Sequence, residues 1–67
     1  MTITVNDMAK VVADGLSVAS LIQKMYPDVK GGIAVSIGNK IVRKADWESR
    51  ILCEGDDIVI IRAAYGG

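Results

Sequence analysis

The chain has no histidine among its 67 residues. That removes Ser-His-Asp and Cys-His nucleophile pairs and any imidazole metal site. It has one cysteine, Cys53, so neither a disulfide framework nor a cysteine-based zinc cluster can form within it. A lone cysteine fits a reducing, cytoplasmic setting. There is no surplus of either charge: eight basic residues face eight acidic ones, which argues against nucleic acid as a partner, because phosphate binding needs a basic excess. No apolar run approaches the ~20 residues that span a bilayer. The opening Met1-Thr2-Ile3-Thr4-Val5-Asn6 lacks the basic start and apolar stretch of a signal peptide. Most enzyme chemistries are thus disfavoured before any motif is read.

What remains is enough to fold. Hydrophobic residues make up 51% of the chain and charged ones 24%, the balance of an ordered domain and not of a disordered segment. The length allows one small domain, with a core that buries only ~60% of the surface the unfolded chain exposes.

Thr2-Ile3-Thr4-Val5 alternates polar and apolar residues, the period of a half-buried strand. Asn6-Asp7 is a turn-forming pair, and Lys10-Val11-Val12-Ala13 reads as the returning strand of a hairpin. Asp14-Gly15 closes it. Ser17 then offers a helix N-cap, with Leu16 and Leu21 spaced as a hydrophobic staple. Val18, Leu21, Ile22 and Met25 fall on one helical stripe. Pro27 stops the helix by disfavouring the α conformation at Tyr26. Ile33, Val35 and Ile37 mark a third strand, Gly38-Asn39 a tight turn, and Lys40-Ile41-Val42 its return. Lys44 to Arg50 has no clean period and reads as a loop with one helical turn near Trp47. Glu54-Gly55-Asp56-Asp57 is a turn, and the β-branched run Ile58-Val59-Ile60-Ile61 is the strongest strand signal in the chain.

The order β-β-α-β-β-β predicts an α+β layer pair. The last strand, apolar on both faces, is expected between the two hairpins, joining them into one mixed five-stranded sheet with one main helix packed on one face. That layout is a β-grasp, the ubiquitin-like architecture. The domain is expected over residues 1–63, with residues 64–67 as a flexible Gly-Gly tail.

The sharpest feature is Gly66-Gly67, the last two residues. A frayed end is the bland explanation. The functional one is that glycine lacks a Cβ, so an extended pair threads a narrow channel and presents its carboxylate to another enzyme. An α-carboxyl titrates near ~3.5, so it is ionised at neutral pH and serves as a nucleophile. Attack on the α-phosphate of ATP would give an acyl-adenylate open to sulfur, oxygen or nitrogen nucleophiles.

The chain resembles the ThiS sulfur carriers of thiamin biosynthesis, within the wider ThiS/MoaD ubiquitin-like group. The residues that carry the likeness are Ala13-Asp14-Gly15-Leu16-Ser17-Val18, Ile33 through Val42, Trp47, Glu54-Gly55-Asp56-Asp57-Ile58 and Gly66-Gly67. The Gly-Gly end is common to the ubiquitin-like class; the short length and the Ile41-Val42…Trp47 segment favour ThiS over the longer molybdopterin synthase small subunits. Two departures, Gly38-Asn39 for an Asn-Gly order and Arg43 for a frequent proline, touch turn geometry and not the reactive end. The resemblance implies that this chain is a protein co-substrate and not an enzyme. A ThiF-type adenylating enzyme would use ATP and magnesium to activate the Gly67 carboxylate. A cysteine-derived persulfide would leave a thiocarboxylate there. A ThiG-type thiazole synthase would take the sulfur, with deoxyxylulose phosphate and a glycine-derived imine as co-substrates. Gly66, Tyr65 and Ala64 would enter the partner's active site, and Tyr65 would pack on the channel wall. Neither the ATP nor the magnesium would reside on this chain. Sulfur transfer to molybdopterin or another product, a lysine-linked modifier and a plain interaction module are the alternatives.

Strand side chains alternate, so the last strand cannot bury all its apolar residues on one helix. By similarity to ubiquitin-like proteins, Val59 and Ile61 would face outward and, with Arg62, form a partner-docking surface. Central-strand pairing alone would equally call for such residues. Arg62 reads first as a solvated strand-end residue and second as a steering charge. Trp47 reads better as cover for a core edge than as a docking anchor. Cys53 reads better as a buried or half-buried apolar residue than as a sulfur relay. Asp56-Asp57 reads as a turn former, since two carboxylates without further ligands make a poor metal site.

Overall fold

The computed structural model describes residues 1–29 and 32–62. β1 (Thr2–Val5) and β2 (Met8–Val11) form an antiparallel hairpin with Val5 opposite Met8. The two loop residues, Asn6 and Asp7, both take positive φ, 50° and 68°. That is the turn whose twist matches a hairpin, and asparagine and aspartate tolerate it better than other side-chain-bearing residues. A two-residue loop also fixes where the return strand starts. β2 therefore begins at Met8 and not at Lys10 as the apolar run suggested, and Val12 and Ala13 lie beyond it. Val12 still closes the hairpin, because its N–H donates to the Met1 carbonyl at 2.8 Å.

Helix α1 (Val18–Met25) starts where the sequence places it. Ser17 Oγ accepts from the Ser20 N–H at 3.1 Å, satisfying an amide that has no partner within the helix. Val18, Leu21 and Ile22 are buried on one stripe, and Met25 is half-buried beside them. The helix ends at Tyr26, whose φ and ψ of −136° and 63° leave the α region just before Pro27.

β3 (Ile33–Ile37) and β4 (Lys40–Val42) form the second hairpin, around Gly38 (φ 56°) and Asn39 (φ 69°). A 3-10 turn, Lys44–Asp46, brings Trp47 under the helix. β5 (Asp57–Arg62) is central. The sheet order is β2-β1-β5-β3-β4, with β5 parallel to β1 and antiparallel to β3. Five strands and one helix in this arrangement are a β-grasp.

The core lies between the helix and one face of the sheet. Ile3, Val5, Val35, Ile37, Ile58 and Ile60 meet Val18, Leu21 and Ile22 there. Trp47 closes one edge; its indole N–H donates to the Val42 carbonyl at 3.0 Å, and its own carbonyl accepts from Ala19. Leu52 is also buried, in a segment with no periodic signal, because its N–H bonds the Leu16 carbonyl and draws the long loop against the start of the helix. No helix among the described residues is long and apolar enough to cross a membrane.

Candidate functional site

The site is built on β5. Ile58 is fully buried and Ile60 nearly so, which anchors the strand to the core. Five register pairs tie it to β3, from Ile37↔Ile58 to Ile33↔Arg62. On its other edge Asn6 holds it twice: the Asn6 N–H donates to the Ile58 carbonyl at 2.9 Å, and Asn6 Oδ1 accepts from the Ile60 N–H at 2.8 Å. The sequence marked Asn6 only as a turn residue. Its grip on β5 joins positions far apart in the chain, and no local pattern reports it.

Between the anchoring positions, Val59 and Ile61 face the open side of the sheet, 39% and 62% exposed. Register places Ser36 beside Val59, Ala34 beside Ile61, and Ile41 beyond Ser36 on β4. Ile41 is 78% exposed. The open face thus carries an apolar surface of Ala34, Ile41, Val59 and Ile61 next to the strand end that leads into residues 63–67. The sequence reading placed Ile41 in a returning strand but not on a docking surface; the outward turn of its neighbour Ser36 puts it here.

Arg62 does not share that face. It alternates to the helix side, like Ile58 and Ile60, and its guanidinium lies 5.1 Å from the centroid of the Tyr26 ring. Ala64, Tyr65, Gly66 and Gly67, the expected tail, lie outside the described residues.

Cys53 is exposed, not buried or half-buried as its apolar character suggested. The reason is the turn it opens: its backbone N–H donates to Asp56 Oδ2 at 2.8 Å and its carbonyl accepts from the Asp56 N–H, which keeps the loop outside the core. It precedes the start of β5, whereas the candidate reactive end follows the finish. Asp56 also pairs with Arg50 at 3.4 Å, and Asp57 Oδ1 accepts from the Thr4 hydroxyl at 2.9 Å. Both carboxylates serve the loop and the strand start. No group of three or more metal-ligating side chains occurs among the described residues.

A mixed sheet with its last strand at the centre, one helix on one face and an apolar open face defines the class: a ubiquitin-like β-grasp domain. The model of the ThiS family matches residues 1–67, and the chain belongs to that family. It is 31% identical over 67 residues to the sulfur carrier protein ThiS of Escherichia coli (strain K12), with 100% of both chains covered. The crystal structure of the thiamine biosynthesis protein ThiS from Geobacter metallireducens superposes with a TM-score of 0.84 at 20% identity, covering 100% of both chains. The solution structure of a thiamine biosynthesis protein from the same organism gives 0.79 at 21% identity, over 100% of this chain and 88% of that one. At those identities the two structures speak for the fold.

Proposed function

We propose that this chain is a sulfur carrier protein of thiamine biosynthesis, serving formation of the thiazole ring, and that its working group is the carboxylate of Gly67. The observation that carries the reading is the end-to-end likeness to the Escherichia coli sulfur carrier protein ThiS. The site geometry agrees with it: a strand fixed in the core leads directly into the terminal segment.

The steps follow from carboxylate chemistry. The ionised carboxylate attacks the α-phosphate of ATP in a ThiF-type partner that holds the nucleotide and magnesium, and pyrophosphate leaves. The mixed anhydride so formed makes the Gly67 carbonyl an electrophile. A persulfide sulfur displaces AMP, and thiol cleavage of the sulfur–sulfur bond leaves a thiocarboxylate on Gly67. A ThiG-type synthase then takes that sulfur, and the carboxylate is restored. The protein itself supplies a rigid base, a docking face and a narrow end. Ala34, Ile41, Val59 and Ile61 meet the partner, because burying exposed apolar surface beside the reactive end stabilises the delivery complex. Gly66 and Gly67, with Tyr65 and Ala64 behind them, enter the active site, where a Cβ would clash with channel walls.

The reading is tested by ATP–pyrophosphate exchange with a ThiF-type enzyme. The wild-type chain supports exchange. Gly67→Ala, and a chain with one alanine added after Gly67, melt like the wild type yet support none. Normal exchange by either variant contradicts the narrow-channel account, and no exchange by the wild type contradicts the carrier reading.

A further inference from the structure

The ladder around β5 is lopsided at its far end. β1 pairs with it only at Thr4↔Asp57 and Val5↔Ile58, and Asn6 extends that support to Ile60 through its side chain. Alternate residues of a strand aim their backbone groups at the same edge. The N–H and C=O of Arg62 therefore face the edge along which β1 has already ended. What engages Arg62 on the helix side is its own side chain, stacked over Tyr26 at 5.1 Å. That ring is a fixed platform. Tyr26 caps the helix with its N–H donating to the Ile22 carbonyl at 2.8 Å, and its carbonyl accepts from the Val29 N–H at 3.2 Å. It is packed, half-buried, against the core. Pro27 holds its backbone out of the α conformation.

We infer that the Arg62–Tyr26 stack is a positioning device, which fixes the direction in which β5 hands the chain on to residues 63–67 and so governs how readily the terminal carboxylate reaches a partner's nucleotide site. The inference deepens the carrier reading and rests on it. Only five residues lie beyond Arg62, a reach of at most about 17 Å when extended, so the strand end sets where that short reach begins. The planar, delocalised guanidinium suits an aromatic platform better than a lysine ammonium would. Arg62 and Tyr26 are positioning residues: neither touches the reacting atoms.

Two readouts test this on the full chain: the backbone 15N order parameter of Arg62, and KM and kcat for the carrier in ATP–pyrophosphate exchange with a ThiF-type enzyme. Arg62→Ala, an exposed strand-end change that leaves the core intact, lowers the order parameter at position 62 and raises KM by about twofold to fivefold, the bias an exposed cation–π contact sustains. The kcat stays unchanged. Tyr26→Ala does the same, Tyr26→Phe restores both readouts, and the double alanine variant is no worse than either single one. An order parameter untouched by Arg62→Ala, additive losses in the double variant, or a Phe variant as poor as the Ala variant overturns the inference. If the wild-type chain is not adenylated, the carrier reading fails, and the order parameters alone decide whether the stack holds the strand end.

Discussion

Asn6 does two jobs. Its backbone sits at a positive φ of 50° in the first hairpin turn, and its side chain caps β5 at Ile60. Asn6→Ala loses both, at about 1 kcal/mol for the left-handed backbone and about 1 kcal/mol for the part-buried hydrogen bond to Ile60. Asn6→Gly keeps the backbone and loses only the hydrogen bond. Urea denaturation should therefore rank wild type above Gly above Ala. An Ala variant as stable as the Gly variant would show that the backbone carries no strain. At this scale the sequence was legible where a residue's role is local: Ser17 as a cap, Trp47 as cover for a core edge, Asp56 as a turn former; Asp57, read as part of the same turn, instead starts β5. It was not legible where the role depends on a distant element. Cys53 is apolar by chemistry and exposed by the loop that the Asp56 carboxylate ties. Arg62 is a different case: it is exposed at the strand end, as its first reading has it, but the local alternation of the strand separates it from the face of Val59 and Ile61 with which it was grouped.

The element on which the proposed site is built is β5, and its two faces make different predictions. Ile58 and Ile60 are anchors. Ile58→Ala opens a cavity in the middle of a small core and costs about 3 kcal/mol, a large share of the roughly 3–10 kcal/mol a chain of this length can hold. Ile61→Asp lies on the open face, so it shifts stability by about 0.5 kcal/mol or less and raises KM for the carrier in the adenylation assay. A fall in the melting temperature of Ile61→Asp equal to that of Ile58→Ala would show that the outward face is structural and not a docking surface. The period-2 pattern made the strands readable, and Gly38-Asn39 and Asn6-Asp7 made the hairpins readable. The start of β2 was misread because Lys10-Val11-Val12-Ala13 is the more apolar run, while the register is set by the two-residue turn before it. Leu52 was missed because its burial comes from a backbone tie to Leu16 and not from any period of its own.

At the scale of the whole molecule, one helix covers one face of a five-stranded sheet and leaves the other open. That asymmetry was predictable from counting elements: a single helix cannot cover both faces. The central place of β5 also followed from its apolar residues on both sides, and the sheet order bears this out. The molecule presents a strand end beside an open apolar face, and the account makes that end the bearer of a transferable sulfur. Intact-mass spectrometry tests this most directly, after incubation of the full chain with a ThiF-type enzyme, ATP, magnesium and a persulfide sulfur source. The account predicts a mass gain equal to the replacement of one oxygen by one sulfur, located on Gly67 and lost when a ThiG-type synthase and its substrates are added. A folded chain that is adenylated or ignored but never gains that sulfur would contradict it.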